Sequence, residues 1–200
     1  MIRKILIAKL ASILFLVALI AAYLIHINFF DVNVVFYAAL LDAAIAAVIA
    51  GLVLFVITSL NGFEKLLLVM IWLLVGYALA ISLPTVIDRS LSFYILEKLQ
   101  QRGGGIKQDA FARVFTDEYM KEYRLVDVRL TEQLESGTIQ IKDGCVLLTD
   151  KGQRIASFGQ FFRHNLLPKH RLLMGQYSDA LVDPFKNSAD VTDYKCAAAP

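Results

Sequence analysis

Asp42 stands alone as a charge in an apolar stretch running from Val34 to Thr58. A carboxylate at membrane depth either pairs with another helix or carries a proton or a substrate. Asp31 and Asn33 mark the expected helix entry. Asp42 then lies roughly 13 Å in, at 1.5 Å per residue. That is too deep for full hydration, so a structural pairing ranks just ahead of a transport role. Asp88 and Arg89 follow the last apolar stretch, where a helix cap with a neighbouring surface charge ranks ahead of a site. Further on, Arg163, His164, Lys169, His170 and Arg171 are interleaved with Phe158, Phe161, Phe162, Leu166 and Leu167. Such a pattern suits a headgroup-level segment, with apolar groups in the interface and cations on phosphates. The alternative, equally weighted, is that the phenylalanines finish a domain core and the charges are solvated.

No catalytic constellation emerges. His26, His164 and His170 are the histidines of the chain, and no metal-ligand spacing joins them. Gly103-Gly104-Gly105 lacks the Lys-Ser/Thr of a phosphate loop, and neither a nucleophile elbow nor a dinucleotide fingerprint is present. The expectation is a protein that is not an enzyme, with no cofactor and no metal.

The elements that must position these residues are mostly apolar helices. Stretches run from Ile5 to about Ile25, from Val34 to Thr58 and from Leu66 to Leu83. About 20 apolar residues cross a bilayer, so each predicts a transmembrane helix. Arg3 and Lys4 before the first stretch resemble the start of a signal peptide, but its apolar region is too long and no cleavage pattern follows. A retained anchor is expected. In the second stretch Ala39, Ala43, Ala47 and Gly51 fall on one helix face, widened by Ala46 and Ala50. Small residues permit close helix approach. Packing within the three helices is expected first, and docking of a partner helix second. Pro84 is expected to close the third helix.

The chain carries 20 Lys+Arg and 18 Asp+Glu, a net charge of +2. Arg3, Lys4, Lys9 and Lys65 are the basic residues before Asp88, against Asp31, Asp42 and Glu64, so the part beyond is nearly neutral. The loop from His26 to Asn33 holds no Lys or Arg, whereas Arg89, Lys98 and Arg102 follow the third stretch. Counting these flanks leans toward a cytoplasmic N-terminus and an extracytoplasmic soluble domain. The expected location is a bacterial inner membrane. Cys145 and Cys196 are the two cysteines; a disulfide outside the cytoplasm is open to them, though their spacing does not compel it.

After Pro84, a helix is expected over roughly Leu91 to Gln101, capped by Asp88 or Ser90 and stopped by the triple glycine. Phe93, Leu96 and Leu99 are placed on its apolar face, which Leu91, Tyr94 and Ile95 widen. A short helical pattern covers Asp109 to Phe115, and one or two helices cover Glu118 to Glu135. Thr138 to Ile141 and Cys145 to Leu148 read as strands around a Lys142-Asp143-Gly144 turn. A last helix follows from Gln153 to about His164.

The order helix, helix, helix, two-stranded wing, helix resembles the winged-helix family. The likeness rests on Arg129-Leu130-Thr131-Glu132-Gln133-Leu134-Glu135-Ser136-Gly137-Thr138-Ile139 and on Leu148-Thr149-Asp150-Lys151-Gly152, within about residues 91–162. The family often binds DNA through the third helix and the wing. Here Lys121, Arg124 and Arg129 are offset by Glu118, Glu122, Asp127, Glu132 and Glu135. A neutral surface cannot supply the phosphate neutralisation that DNA affinity needs, so nucleic acid is disfavoured as a partner. The likeness implies a protein-contact module.

The expected architecture is mainly α. A three-helix transmembrane domain (1–84) precedes a small α+β winged-helix-like domain (85–165), and an interfacial basic segment leads to an extended tail (166–200). The expected function is that of a non-catalytic accessory or assembly subunit. It docks onto a larger integral membrane protein, for example an enzyme of envelope or lipid-linked material, or onto further copies of itself. Ala39, Ala43, Ala47, Gly51 and Asp42 are the candidate packing residues. Arg163, Lys169, His170, Arg171, Asp88 and Arg89 are candidates for anionic lipid headgroups. A membrane-tethered regulator that binds nucleic acid and a headgroup-level enzyme are the alternatives.

Overall fold

The computed structural model describes residues 2–185 and Cys196. Three helices long and apolar enough to cross a membrane lie among them: α1 (Ile2–Phe29), α2 (Val35–Val56) and α3 (Gly62–Arg89). Hydropathy sets these elements, and polar caps end them. Asn61 accepts from the Glu64 N–H at 2.8 Å, and the Glu64 carboxylate takes the Asn61 N–H at 2.8 Å, a reciprocal capping box that starts α3.

Pro84 does not close α3. The helix passes through it as a π-turn over Ile81–Thr85 and continues over Val86–Arg89. The wider turn lets the Val86 N–H reach the Ile81 carbonyl, so the ladder resumes beyond the proline, which has no N–H to give.

The interior of the bundle is built from small residues on α2. Ala39, Ala43, Ala46, Ala47 and Ala50 are buried, facing Ala11 and Phe15 of α1 and Trp72, Gly76 and Ala80 of α3. A Cβ added to Gly76 would stand 2.7 Å from the Ala43 Cβ. Glycine against alanine therefore sets how closely α2 and α3 cross. The first and third helices run parallel in a fixed register. Lys4 pairs with Glu64 at 2.8 Å, and the Trp72 Nε1 donates to the Ser12 Oγ at 3.0 Å. Trp72 also stacks on Phe15, their ring centroids 5.6 Å apart.

Beyond the bundle, Ser90 accepts from the Phe93 N–H and starts α4 (Leu91–Gln101). Gly103 and Gly104 adopt positive φ of 76° and 97° and end it. A helical run over 108–122, here α5, contains a π-segment at Val114–Tyr119. Arg124, in the left-handed region at φ 44°, separates it from α6 (Leu125–Glu135). Strands β1 (Ile139–Lys142) and β2 (Cys145–Leu148) pair antiparallel, Ile139 opposite Leu148 and Lys142 opposite Cys145. Asp143 and Gly144 both take positive φ in the turn, as a two-residue hairpin requires. Helix α7 (Asp150–Leu166) follows, then a second hairpin of β3 (Arg171–Leu173) and β4 (Gln176–Ser178). This hairpin lies where the sequence predicted an interfacial basic segment. Cys145 and Cys196 form a disulfide.

The chain divides into two compact units, Met1–Val128 and Arg129–Pro200, with the division inside α6. The element order expected from the sequence is present, but the likeness to a winged helix extends to that order alone. Tyr94, Val114 and Tyr119 form the buried cluster that follows residue 90, and all three belong to the first unit. In the second unit α7 buries only Gly152. The expected extended tail after Asp183 falls mostly outside the described residues.

Candidate functional site

Two charged side chains lie buried among the described residues, Asp42 at 2% exposure and Lys98 at 4%. Asp42 sits on the inner face of α2, beside Ala43 and Ala46, as the small-residue stripe dictates. Its partner comes from the last turn of α1: His26 Nδ1 lies 2.8 Å from Asp42 Oδ1. The ring of Phe30 stands edge-on to the His26 imidazole, centroids 5.9 Å apart. The other carboxylate oxygen, Oδ2, is buried and has no hydrogen-bond partner among the described residues. The helix-to-helix pairing expected for Asp42 is therefore present. His26 was not foreseen as its partner, yet both residues lie the same number of positions from Val34, on either side of the α1–α2 turn.

Lys98 is compensated more fully. It lies one turn after Tyr94 on α4; of the predicted apolar stripe Tyr94 is buried and Ile95 and Leu99 are half-buried, while Leu91, Phe93 and Leu96 point outward. Its ammonium donates to Glu122 Oε1 at 2.6 Å and pairs with Glu118 Oε2 at 2.7 Å. The Tyr94 hydroxyl donates to Glu122 Oε2 at 2.9 Å, and Arg102 bonds Glu118 at 3.0 Å. The two carboxylates hold the Lys98 ammonium above its ordinary range. In return, the hydrogen bond from Lys98 draws both Glu118 and Glu122 below the usual carboxylate range. Burial, then the bond to Glu122, pushes the Tyr94 phenol up to about 12. Burial and a 3.1 Å bond to Glu97 also raise Tyr123. Each cation and phenol here has a carboxylate partner, so the cluster is a clamp between α4 and α5.

The remaining candidates are spread out. Ala39, Ala43 and Ala47 are consumed by packing inside the bundle; Gly51 is half-buried, and a Cβ added to it would stand 3.9 Å from Val69 Cγ2. Asp88 is exposed and Arg89 half-buried at the end of α3. Arg163 is exposed on α7, Lys169 and His170 lie in the following loop, and Arg171 is exposed on β3. No group of three or more His, Cys, Asp or Glu among the described residues is placed to hold a metal.

In the second unit the joint between hairpin and helix is tightly specified. Thr149 caps α7 by accepting from the Gly152 N–H at 3.1 Å, and its own hydroxyl donates to the Gly137 carbonyl at 2.8 Å. A Cβ on Gly152 would meet the Thr138 carbonyl oxygen at 2.1 Å. This gives the Leu148-Thr149-x-x-Gly152 pattern its physical reason. Past that joint α7 exposes Ile155, Phe158, Phe161, Phe162 and Leu166, with Phe158 at 63% and Phe161 at 57%. An apolar row of this size on a short helix is a feature of contact surfaces.

Comparison with protein-family models, with curated proteins and with solved structures finds no match for this chain.

Proposed function

We propose that this chain is a non-catalytic subunit of a membrane protein complex. Its three helices hold it in the bilayer, and its C-terminal unit grips the extramembrane part of a partner. The carrying observation is the uncovered row Ile155, Phe158, Phe161, Phe162 and Leu166 on α7. Most of a helix's stability in a protein comes from packing an apolar face. Helix α7 buries little of its own, so a partner surface supplies the missing contact.

The element order supports a winged-helix-like module for this contact. The basic residues Arg3, Lys4, Lys9 and Lys65 belong to the ends where α1 begins and α2 passes into α3, which favours a cytoplasmic N-terminus. The Cys145–Cys196 disulfide supports an oxidising compartment for the C-terminal unit. Exposed Arg163, Lys169 and Arg171 suit anionic headgroups or a partner that handles lipid-linked material. The nucleic-acid alternative is weakened by pairing: Arg124 is bonded to Asp127 at 2.9 Å and Arg129 to Glu132 at 2.6 Å. A headgroup-level enzyme working with Asp88 and Arg89 is the remaining alternative.

The test is purification of the full-length protein from its native membrane in mild detergent. A stable companion or a defined self-assembly is expected, and it should dissociate when Phe158 and Phe162 are both changed to Ser. A wild-type protein that runs alone and monodisperse removes this reading.

A further inference from the structure

The β3–β4 hairpin is bare. Every residue from Arg171 to Tyr177 is exposed, and Ser178 is half-buried. The register sorts them: Leu172 stands opposite Tyr177, Arg171 opposite Ser178, and Leu173 opposite Gln176. Opposed residues share a face, and neighbours along a strand point to opposite faces. One face therefore carries Leu172 and Tyr177, both well exposed. The other carries Arg171, Gln176 and Ser178, with Leu173 as its apolar member. Met174, in the turn, is 84% exposed.

A two-stranded hairpin is marginal in water unless something packs on its apolar face. Nothing among the described residues covers Leu172 and Tyr177. The β1–β2 hairpin is the contrast. Its turn is the polar Lys142-Asp143-Gly144, and the Thr149 N–H donates to the Thr138 carbonyl at 3.1 Å, where β2 passes into α7.

Charge decides what covers the bare hairpin. No Asp or Glu occurs between Asp150 and Asp179, while Lys151, Arg154, Arg163, Lys169 and Arg171 fall within that run. Lys169 and Arg171 stand at the start of β3, are exposed, and meet no carboxylate among the described residues. The occupant must therefore offer anions and an apolar layer together. A bilayer interface does so: phosphates lie at the headgroups, hydrocarbon lies just beneath, and tyrosine is at home between them. Helices α1–α3 are long and apolar enough to hold the same chain in a membrane, so lipid is at hand.

We propose that the β3–β4 hairpin inserts Met174 and its Leu172–Tyr177 face into the interface of an anionic bilayer, with Lys169 and Arg171 on lipid phosphates. This rests on the membrane placement made in the subunit proposal. It does not rest on a protein partner for α7, which is a different surface.

The experiment places the full-length protein in nanodiscs that carry a phosphatidylcholine probe with a diazirine in its acyl chain. One set of discs is phosphatidylcholine alone, and the other is phosphatidylcholine and phosphatidylglycerol in equal parts. Peptide mass spectrometry locates the adducts after illumination. Adducts on Leu172–Tyr177 are expected at roughly ten times the yield in the anionic discs. Adducts on α1–α3 should be equal in the two sets and serve as the standard, and the β1–β2 turn should carry none. Changing Lys169 and Arg171 together to Gln should lower the hairpin yield in anionic discs to that of neutral ones. Leu172→Ser with Tyr177→Ser should lower it further, and unchanged adducts on α1–α3 show that each variant is still embedded. The proposal is overturned by an unlabelled hairpin in anionic discs, by equal yields in the two sets, by a yield that the Gln pair leaves unchanged, or by as many adducts on the β1–β2 turn. It is also overturned if an amine cross-linker joins Lys169 to a companion protein in native membranes while lipid adducts are missing there, because the face then belongs to a protein. The readings fail separately. Missing adducts on α1–α3 would remove the membrane placement itself, and a protein that runs alone in detergent yet keeps its hairpin adducts would remove only the partner.

Discussion

Asp42 and Lys98 are both removed from solvent, yet the protein treats them differently. Lys98 meets two carboxylates, and the phenol and guanidinium around it occupy further lone pairs. Asp42 meets one imidazole and keeps an oxygen in reserve. A saturated cluster is architecture: it fixes how α4 lies against α5. A half-saturated one leaves an acceptor sealed within the bundle with no donor among the described residues. Burial alone does not distinguish these cases; the count of donors against lone pairs does.

Lys98→Met is the sharpest way to break the contrast. Methionine keeps much of the length but removes the cation that Glu118 and Glu122 share, leaving Arg102 on Glu118 alone and Glu122 with the Tyr94 hydroxyl. A Tm lower by roughly 5 °C in detergent, read by near-ultraviolet circular dichroism, is the expected outcome. A change of under about 2 °C would mean that the clamp holds nothing.

Titration probes the same cluster without mutation. The carboxyls of Glu118 and Glu122 are held low, so their contribution is complete above the ordinary carboxylate range near pH 4 and is lost as pH falls through their lowered values. Tyr94 is raised to about 12, so its contribution is complete below the ordinary phenol range near 10 and is lost as pH rises through about 12. Absorbance at 295 nm, wild type minus Tyr94→Phe, should show a tyrosinate appearing well after the bulk of the phenols. Ionisation of Tyr94 together with the exposed phenols would contradict the burial assigned to it.

Asn61→Ala supplies a surface reference. Loss of the side-chain cap on α3 should cost about 1 kcal/mol, or roughly 3 °C in Tm, by thermal unfolding. Changing His26 and Asp42 together to Leu should cost less than that. Both members of the pair then become apolar at once, an exchange that is often neutral. A loss as large as that of Lys98→Met would mean that the pair is as structural as the lysine.

The sequence disclosed the parts of this fold that depend on local chemistry. Three runs of about 20 apolar residues leave little alternative to spanning helices. Ser90, the triple glycine and Asp143-Gly144 each carry their instruction within a few residues, and each acts as expected. The misjudged parts are those decided by distant contacts. Pro84 looked like a stop, but a π-turn carries α3 past it. The buried face of α4 was centred on Phe93, Leu96 and Leu99 with Tyr94 at its edge, whereas Tyr94 and Lys98 are its buried residues, because nothing local says that Lys98 will find two glutamates on α5. The β3–β4 hairpin escaped notice because Met174-Gly175 forms its turn without the usual Asn or Asp. His26 is half of the membrane pair, and only its symmetry with Asp42 about Val34 hinted at that.

The bond between Cys145 and Cys196 closes a covalent ring, and α7 with its phenylalanines is strung on that ring. A protease that cuts once between those two positions would leave both fragments joined. The pieces should migrate as a single band until reductant is added. The aromatic helix thus cannot be shed by one proteolytic nick.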